Sequence, residues 1–489
     1  VRKQKTTWLH IAGVLIIFTS MFLTSCQEDI SNLPKITVSK DTVIFDTVFT
    51  NMGSMTKVFL IRNNSNETVN LDRVYIPSGN SGPYRFNVNG YTGPSVEDLE
   101  LEGKDSMYVF VEVTLDPNGG TGPLISEDSI VVEYNNGADY ARSILVAFGQ
   151  DANYYYPTDT LNSGLPYSII SCNTTWGPSK PIVVVGYAVV DSGCTLTILP
   201  GTQIHFYSNS ALWVYQYSTL HVLGEAHNPV VFQGTKLEYA YRDVPGQWDR
   251  ILINEGSTDN IIRNAVIKNA FIGLQFDDFT ALGTYNTSTP KKTVLQNVKI
   301  KNMSAVGIFS RQYNIDGYNV LINNCGQYCA AFTYGGNIRF YQSTFANYWS
   351  GSIRNFPSLF FNNYYYDGLV HEAALNLEFN NGIVYGNTLS EIDYDSTNLA
   401  PFNFIIRNSL LKMDEDMLTP ALHYSNIVKN LDPKFTDDFN DIYTLDEGSA
   451  AINIGDPSFV GLFSDQLMFD LKGSNRLVSG APDAGAYEK

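Results

Sequence analysis

The chain has 489 residues, with 49 acidic against 31 basic side chains and a formal net charge of −18. That balance argues against nucleic-acid binding, which needs a basic face. It would also repel an anionic polymer on average, unless a local basic patch or a bound cation intervened. In chain order the first element is a short basic stretch, Arg2, Lys3 and Lys5, followed by an apolar run from Leu9 to Leu23. The run is shorter than a standard spanning helix and reads as an export signal over residues 1–25.

The signal ends in Leu23-Thr24-Ser25-Cys26, which resembles the bacterial lipobox. That resemblance implies cleavage before Cys26 and attachment of a diacylglycerol to its sulfur. Gln27-Glu28-Asp29, just behind the cysteine, resembles the acidic signal that sends Bacteroidetes lipoproteins to the outer face of the outer membrane. The expected location is therefore the cell surface. The lipid at Cys26 is the expected membrane attachment, joined to the rest by a tether over residues 26–35.

Residues 36–152 read as a small β-sandwich. Candidate strands are Thr42–Phe49, Lys57–Arg62, Thr68–Ile76, Tyr84–Val88, Ser106–Thr114, Asp128–Tyr134 and Ser143–Phe148, separated by Asn- and Gly-rich turns such as Asn89-Gly90 and Asn136-Gly137. Seven short strands over about a hundred residues fit an immunoglobulin-like pattern. The region resembles the Ig-like domains of the HYDIN and ASH type, which implies a spacer. Asp-Ser/Thr triplets at Asp41, Asp46, Asp105, Asp128, Asp159 and Asp395 are similar to the O-glycosylation sequon of Bacteroidetes envelope proteins. An intact mass above that of the bare lipoprotein is the expected consequence.

Residues 153–430 carry the strongest pattern. In Gly193–Phe206, Leu196, Ile198, Ile204 and Phe206 alternate with polar residues around a Pro200-Gly201 corner, and Leu220-His221-Val222-Leu223-Gly224 and Pro229-Val230-Val231-Phe232 follow. These residues resemble the opening of many bacterial right-handed parallel β-helix proteins. A repeat then becomes explicit: Asn264-Ala-Val-Ile267-Lys-Asn269, Asn297-Val-Lys-Ile300-Lys-Asn302, Asn319-Val-Leu-Ile322-Asn-Asn324 and, loosely, Gln342-Ser-Thr-Phe345-Ala-Asn347. A repeat in this range indicates a solenoid. Ile267, Ile300, Ile322 and Phe345 are expected to stack inside it. Asn269, Asn302, Asn324 and Asn347 are expected to form an amide ladder at a corner, where asparagine tolerates a left-handed backbone. The expected fold is all-β: a parallel β-helix behind an Ig-like sandwich. A loop, roughly Asp277 to Lys292, is inserted between the first two repeats.

In residues 431–489, Leu431-Asp432-Pro433-Lys434-Phe435, Ser449–Gly455, Asp470, Arg476 and Pro482-Asp483-Ala484-Gly485-Ala486-Tyr487-Glu488 resemble the terminal region of β-helix proteins in the choice-of-anchor Q group. Asn453 and Ala484 depart from that pattern, which more often has Asp and Ile. The resemblance and the physics of exposed strand edges imply an end cap.

The site is less legible than the scaffold. Trp248, Tyr313, Tyr334 and Trp349 are candidate sugar-stacking aromatics, although aromatics also favour strands on propensity alone. Lys268, Lys299, Lys301 and Arg311 come from adjacent repeats and form a candidate basic row, of the kind a lyase would need. Asp277 and Asp278 are candidate carboxylates for a glycosidase, and the His371-Glu372 pair is another candidate. Cys172 and Cys194 are a candidate disulfide, while Cys325 and Cys329 suit buried thiols. The acidic clusters at Asp277-Asp278, Asp414-Glu415-Asp416 and Asp437-Asp438 lack the spacing of a calcium loop. No cofactor or metal is therefore expected, with calcium the one to consider. The expected function is presentation of a β-helix for glycan binding or adhesion by a monomer, the partner being a polysaccharide or a host or neighbour surface glycan. The alternative is a polysaccharide lyase or glycoside hydrolase on the same scaffold.

Overall fold

The computed structural model describes residues 35–117, 124–278, 292–417, 420–478 and 480–489. The expected signal segment, Cys26 and most of the tether lie outside them, as does most of the expected inserted loop. The described chain is all-β apart from a few short helical turns, and it divides into two compact units near Gly149-Gln150. No helix among the described residues is long and apolar enough to cross a membrane.

The first unit holds two five-stranded sheets, the first antiparallel throughout and the second antiparallel among its last four strands. One is ordered Ile36–Val38, Lys57–Asn63, Ser106–Val113, Tyr84–Val88, Tyr91–Thr92. The other is ordered Thr42–Phe49, Asp139–Gln150, Leu124–Tyr134, Val69–Tyr75, Ser95–Leu101. Ser106–Val113 alternates strictly between exposed and buried residues, as a strand with one wet face should. Phe45, Phe59, Ile61, Val109, Val132 and Leu145 meet in one core. The seven expected strands are all present, and three more join them. Ser95–Leu101 escapes a reading by alternation because Asp98 adopts a left-handed backbone (φ 56°), so Val96, Leu99 and Leu101 face the core out of step.

The second unit is dominated by a 27-stranded sheet. Apart from Asp159–Thr160, which pairs antiparallel, its strands align in three parallel ladders, and the chain visits them in turn. Tyr187–Val190, Thr195–Ile198 and Gln203–Phe206 are followed by Ala211–Val214, Thr219–Leu223 and Val230–Gly234. Each of the latter pairs in parallel with its counterpart one pass earlier. Side chains pointing between the ladders share a single apolar core. Ile267, Ile300, Ile322 and Phe345 stand in register in the third ladder, each with no exposed surface. Burying each of them contributes on the order of 1.5–3 kcal/mol. The Cys172–Cys194 disulfide joins two successive passes, closing a loop of 22 residues. By loop-closure entropy it is worth about 3 kcal/mol. Cys325 and Cys329 are free and buried.

The corners need left-handed residues, and asparagine supplies them. Asn264, Asn297, Asn319, Gln342, Asn381, Asn408 and Asn426, all with φ near +50°, mark the corner between the second and third ladders. Here the amide ladder differs from expectation. Asn297 Nδ2 donates to Asn264 Oδ1 at 3.0 Å, and Asn319 Nδ2 donates to Asn297 Oδ1 at 3.0 Å. The bonded rungs are thus the first asparagine of each repeat. Asn269, Asn302 and Asn324 are left-handed too, but their amides donate to Arg242 O, Asp243 and Asp441. Asn347 lies within a strand, where its Oδ1 accepts from Cys325 N at 3.0 Å.

The C-terminal region covers a flank rather than an end. Tyr443, Ala486 and Tyr487 pack on Leu321 and Ala346, and Leu445, Ala451 and Ala484 pack on Ile383 and Leu410. These partners are outward residues of the third ladder that an apolar sequence leaves in need of cover. Helices α1 (Pro457–Leu462) and α2 (Ser464–Leu467) set Val460 and Leu467 against Tyr318 and Tyr341. Gly485 (φ 97°) explains one glycine of the terminal motif, since a Cβ there would fall 2.6 Å from Thr344 Oγ1 and 2.8 Å from Ile383 Cδ1. The motif's charges form the knot behind it. Arg476 is fully buried; its Nη2 donates to Asn319 Oδ1 at 2.9 Å, and its Nη1 lies 3.5 Å from Glu488 without a hydrogen bond. Burial pulls the Arg476 pKa down to about 10, against the opposing pull of Asp470, Glu488 and Asp483. The last pass of the ladders is closed instead by Met413, Met417, Tyr424 and Ile427.

Candidate functional site

On the second ladder, residues that point away from the core form two adjacent columns. Asn314, Asn337, Asn376 and Asn403 lie in parallel register on successive strands, with Lys292 beneath Asn314. Asn337 Nδ2 donates to Asn314 Oδ1 at 2.8 Å, Asn376 Nδ2 to Asn337 Oδ1 at 2.9 Å, and Asn403 Nδ2 to Asn376 Oδ1 at 3.0 Å. Asn337, Asn376 and Asn403 are exposed. Two residues along each strand lie Asp316, Arg339 and Glu378 in the same register. Arg339 grips Asp316 with Nε at 2.7 Å and Nη2 at 3.0 Å. Lys292 also contacts Asp316, and Arg407 Nη1 reaches Glu378 at 3.1 Å. The two columns floor an open groove of about 380 Å³.

An aromatic cluster lies close by along the chain. Tyr334 lies three residues before Asn337 on one strand, held left-handed (φ 56°) at a bulge completed by Gly335 and Gly336. Its ring meets Tyr365 edge-on at 4.9 Å, and Tyr365 stacks on His371 at 4.5 Å. Tyr365 and His371 belong to the hairpin of Tyr364–Tyr366 and Val370–Glu372, which runs into the strand bearing Asn376. His371 Nε2 bonds Asp367 at 2.9 Å. Beyond the ion column, Tyr318 and Tyr341 stack at 5.7 Å and are backed by Phe463. Burial raises the pKa of both phenols, that of Tyr341 to about 12, so each remains a neutral donor.

None of the four candidate aromatics is among the residues lining the groove, and Tyr334, three residues before Asn337, is nearest to it in the chain. Trp248 is 1% exposed, stacked on Phe206 at 4.2 Å with Nε1 donating to Lys268 O. Tyr313 is 0% exposed, its hydroxyl bonded to Ser257 O and Asn260 inside the core. Neither can reach a ligand on the surface, which corrects both assignments. Trp349 is half-buried on a different loop, bonded to Ser352.

The basic row does not survive as a row. Lys268, Lys299 and Lys301 belong to the third ladder, whereas Arg311 belongs to the first and pairs with Asp277. Lys301 is held by Asp441 at 2.9 Å and Asp243 at 3.2 Å. Burial alone would lower its pKa, but these carboxylates outweigh that and raise it. Lys299 lies 5.7 Å over the Tyr487 ring, and burial lowers its pKa; burial does the same for Lys268. The candidate carboxylates Asp277 and Asp278 are buried, the second accepting from Gly256 N at 3.3 Å. Among the described residues, no group of three or more His, Cys, Asp or Glu side chains is arranged to hold a metal ion.

Sequence reasoning missed the exposed asparagine column. Its members are 23, 39 and 27 residues apart. An inserted hairpin and long corners hide the period.

No family model matches the chain, and no curated protein matches it. Solved structures give partial likenesses. A family 123 glycoside hydrolase from Clostridium perfringens, described for glycolipid glycan hydrolysis, shows 10% identity over 29% of this chain and 30% of its own, at a TM-score of 0.19. A protein of unknown function from Porphyromonas gingivalis W83 shows 10% identity over 29% and 58%, at 0.18. The E. coli chaperone DraB shows 15% identity over 24% and 54%, at 0.16. The chain spans less than two thirds of each, and likenesses at these scores carry no argument about fold or activity.

Proposed function

We propose that this chain is an outer-surface lipoprotein, anchored through Cys26, whose second unit is a right-handed parallel β-helix that binds glycan without turning it over. An Ig-like sandwich serves as the spacer between anchor and helix in chain order. The β-helix reading is supported by the three parallel ladders visited in turn and by the shared apolar core. One observation carries the binding role: a row of exposed, hydrogen-bonded amides running across four strands, beside an aromatic hairpin. Exposed amides and ring faces are the groups that recognise sugar hydroxyls and sugar C–H faces. A non-catalytic role is favoured because Arg311 lies on a different ladder from Lys268, Lys299 and Lys301, and Arg311 and Lys301 are both held in ion pairs.

The test is a glycan array probed with the mature chain, run beside assays for new reducing ends and unsaturated products. Binding without product is the expected result. Product release would overturn the non-catalytic reading in favour of a lyase or hydrolase, and no binding to any glycan would overturn the module itself. Radiolabelled fatty acid incorporated by the wild-type chain and lost in Cys26→Ser is the expected sign of the anchor.

A further inference from the structure

Resting on the glycan-binding reading, we infer that the ligand of this groove is a neutral, extended polysaccharide whose chain runs along the Asn314–Asn337–Asn376–Asn403 column, one sugar to a rung. The inference comes from what the ladder leaves over. A primary amide has two N–H donors and a carbonyl oxygen with two lone pairs. Between rungs, each bond uses one donor and one lone pair. Asn337 and Asn376 thus each keep one N–H and one lone pair, while Asn403 keeps an N–H and an oxygen that no higher rung occupies. Asn314 has a spent oxygen, which also accepts from Asn337 N at 3.1 Å, and it offers only its N–H donors. A donor and an acceptor side by side are complementary to two neighbouring hydroxyls, each of which both gives and takes a hydrogen bond. Rungs on adjacent strands repeat at about 4.8 Å, a step comparable with one pyranose unit of an extended chain. The polymer and the ladder can therefore stay in phase over several units.

Charge selects neutral over anionic chains. The charged side chains lining the groove are Lys292, Arg339, Asp316 and Glu378, two of each sign. Each cation already faces a carboxylate: Lys292 and Arg339 share Asp316. A uronate entering here would have to displace a bidentate carboxylate from Arg339, in a chain of net charge −18. A neutral polyol meets no such competition. The Tyr334–Tyr365–His371 cluster, which runs into the strand bearing Asn376, is the aromatic surface available to a chain that extends past the ladder.

The experiment is calorimetry of the mature chain against hexasaccharides with extended β-1,4 backbones (gluco, manno and xylo), with oligogalacturonate and chitosan hexamers as charged counterparts. A neutral hexamer should bind, and affinity should rise with chain length up to about four units. Asn376→Asp, isosteric but without the donor, should weaken it about tenfold, and Asn403→Ala about fivefold, as expected for one or two hydrogen bonds. Asn403→Ala touches only the terminal rung, so it remains informative if Asn376→Asp fails to fold. Equal or tighter binding of oligogalacturonate or chitosan would overturn the neutral class while leaving the glycan-binding reading intact. Neutral binding indifferent to both substitutions would overturn the site. No binding by any hexamer overturns this inference, and only silence on the wider array would also remove the module reading.

Discussion

Two asparagine ladders run side by side in this protein, and they use the same bond for different ends. At the corner, Asn264, Asn297 and Asn319 have left-handed backbones, and the last of them is fully buried under the C-terminal region. On the strand face, Asn314, Asn337, Asn376 and Asn403 lie within strands, and three of them are exposed. A corner asparagine is favoured for its backbone, because its short polar side chain tolerates φ near +50° better than most residues do and β-branched residues resist it. A strand asparagine is not: any residue can occupy that backbone, and β-branched residues would suit it better. Four poor strand formers kept in register on an open face are unexplained by local stability, which is why that ladder is the one assigned to binding.

The comparison breaks most sharply at Asn319. Its amide donates to Gln466 O at 3.1 Å, Phe469 O at 2.8 Å and Asn297, while its oxygen receives Arg476. Asn319→Val should leave a buried guanidinium and two carbonyls short of partners and force a β-branched residue left-handed. A loss of roughly 4 kcal/mol or more is expected, read by chemical denaturation. Asn319→Gly removes the same hydrogen bonds but permits the backbone. Its loss should be smaller by about 1–2 kcal/mol, the cost of the left-handed backbone. Equal losses in the two variants would show that the left-handed backbone costs nothing here.

Acid and base act on the two flanks of this scaffold in opposite directions. His205 is buried, bonded to Gly234 O, and desolvation lowers its pKa from 6.5 to about 4. The unfolded chain therefore binds this proton first, and stability falls as pH drops from 6.5 towards 4, by about 3 kcal/mol at full extent. Glu488, in the knot behind the corner ladder, behaves in reverse. Burial raises its pKa from 4.5 to about 7, so the fold holds a proton that the unfolded chain releases. Its contribution is greatest below pH 4.5 and is lost as pH rises towards 7. Because the two groups titrate over the same window, the difference between wild type and Glu488→Gln is the quantity to measure. The variant should melt higher relative to wild type at pH 8 than at pH 5, with hydrogen exchange slowed in residues 453–489. A difference independent of pH would remove Glu488 as the titrating group.

Much of the scaffold could be read from the sequence because its rules are short-range. The Asn-x-x-Ile-x-Asn repeat places Ile267, Ile300 and Ile322 in one column by spacing alone, and the register agrees. Which asparagine of the repeat bonds its neighbour was not legible, because both are left-handed and only the packing of Asp243, Asp441 and the C-terminal region separates them. Tyr313 was misplaced for a local reason. Gln312 is left-handed (φ 52°) and the pairing slips between Arg311 and Tyr313, so the alternation that should turn Tyr313 outward is reset. Trp248 follows Pro245-Gly246-Gln247 and makes only an isolated bridge to Ala270, leaving no period from which to infer its side. The terminal motif was recognised but its place was not. Its targets, Leu321, Ile383 and Leu410, are outward residues that look like any other strand position until the register is known.

The smallest expected effect sharpens the contrast between the ladders best. Asn403 is exposed and contributes one donor to Asn376, with no partner above it. Asn403→Ala should cost less than about 1 kcal/mol, since a solvent-exposed hydrogen bond exchanges readily with water. Asn403→Thr should be neutral or slightly stabilising, because a β-branched residue suits a strand. If the strand ladder existed to hold the strands together, these variants would instead lower the denaturation midpoint as a corner substitution does. A flat stability profile across Asn337, Asn376 and Asn403, set against steep losses at Asn297 and Asn319, would mean that the exposed amides are kept for something outside the protein.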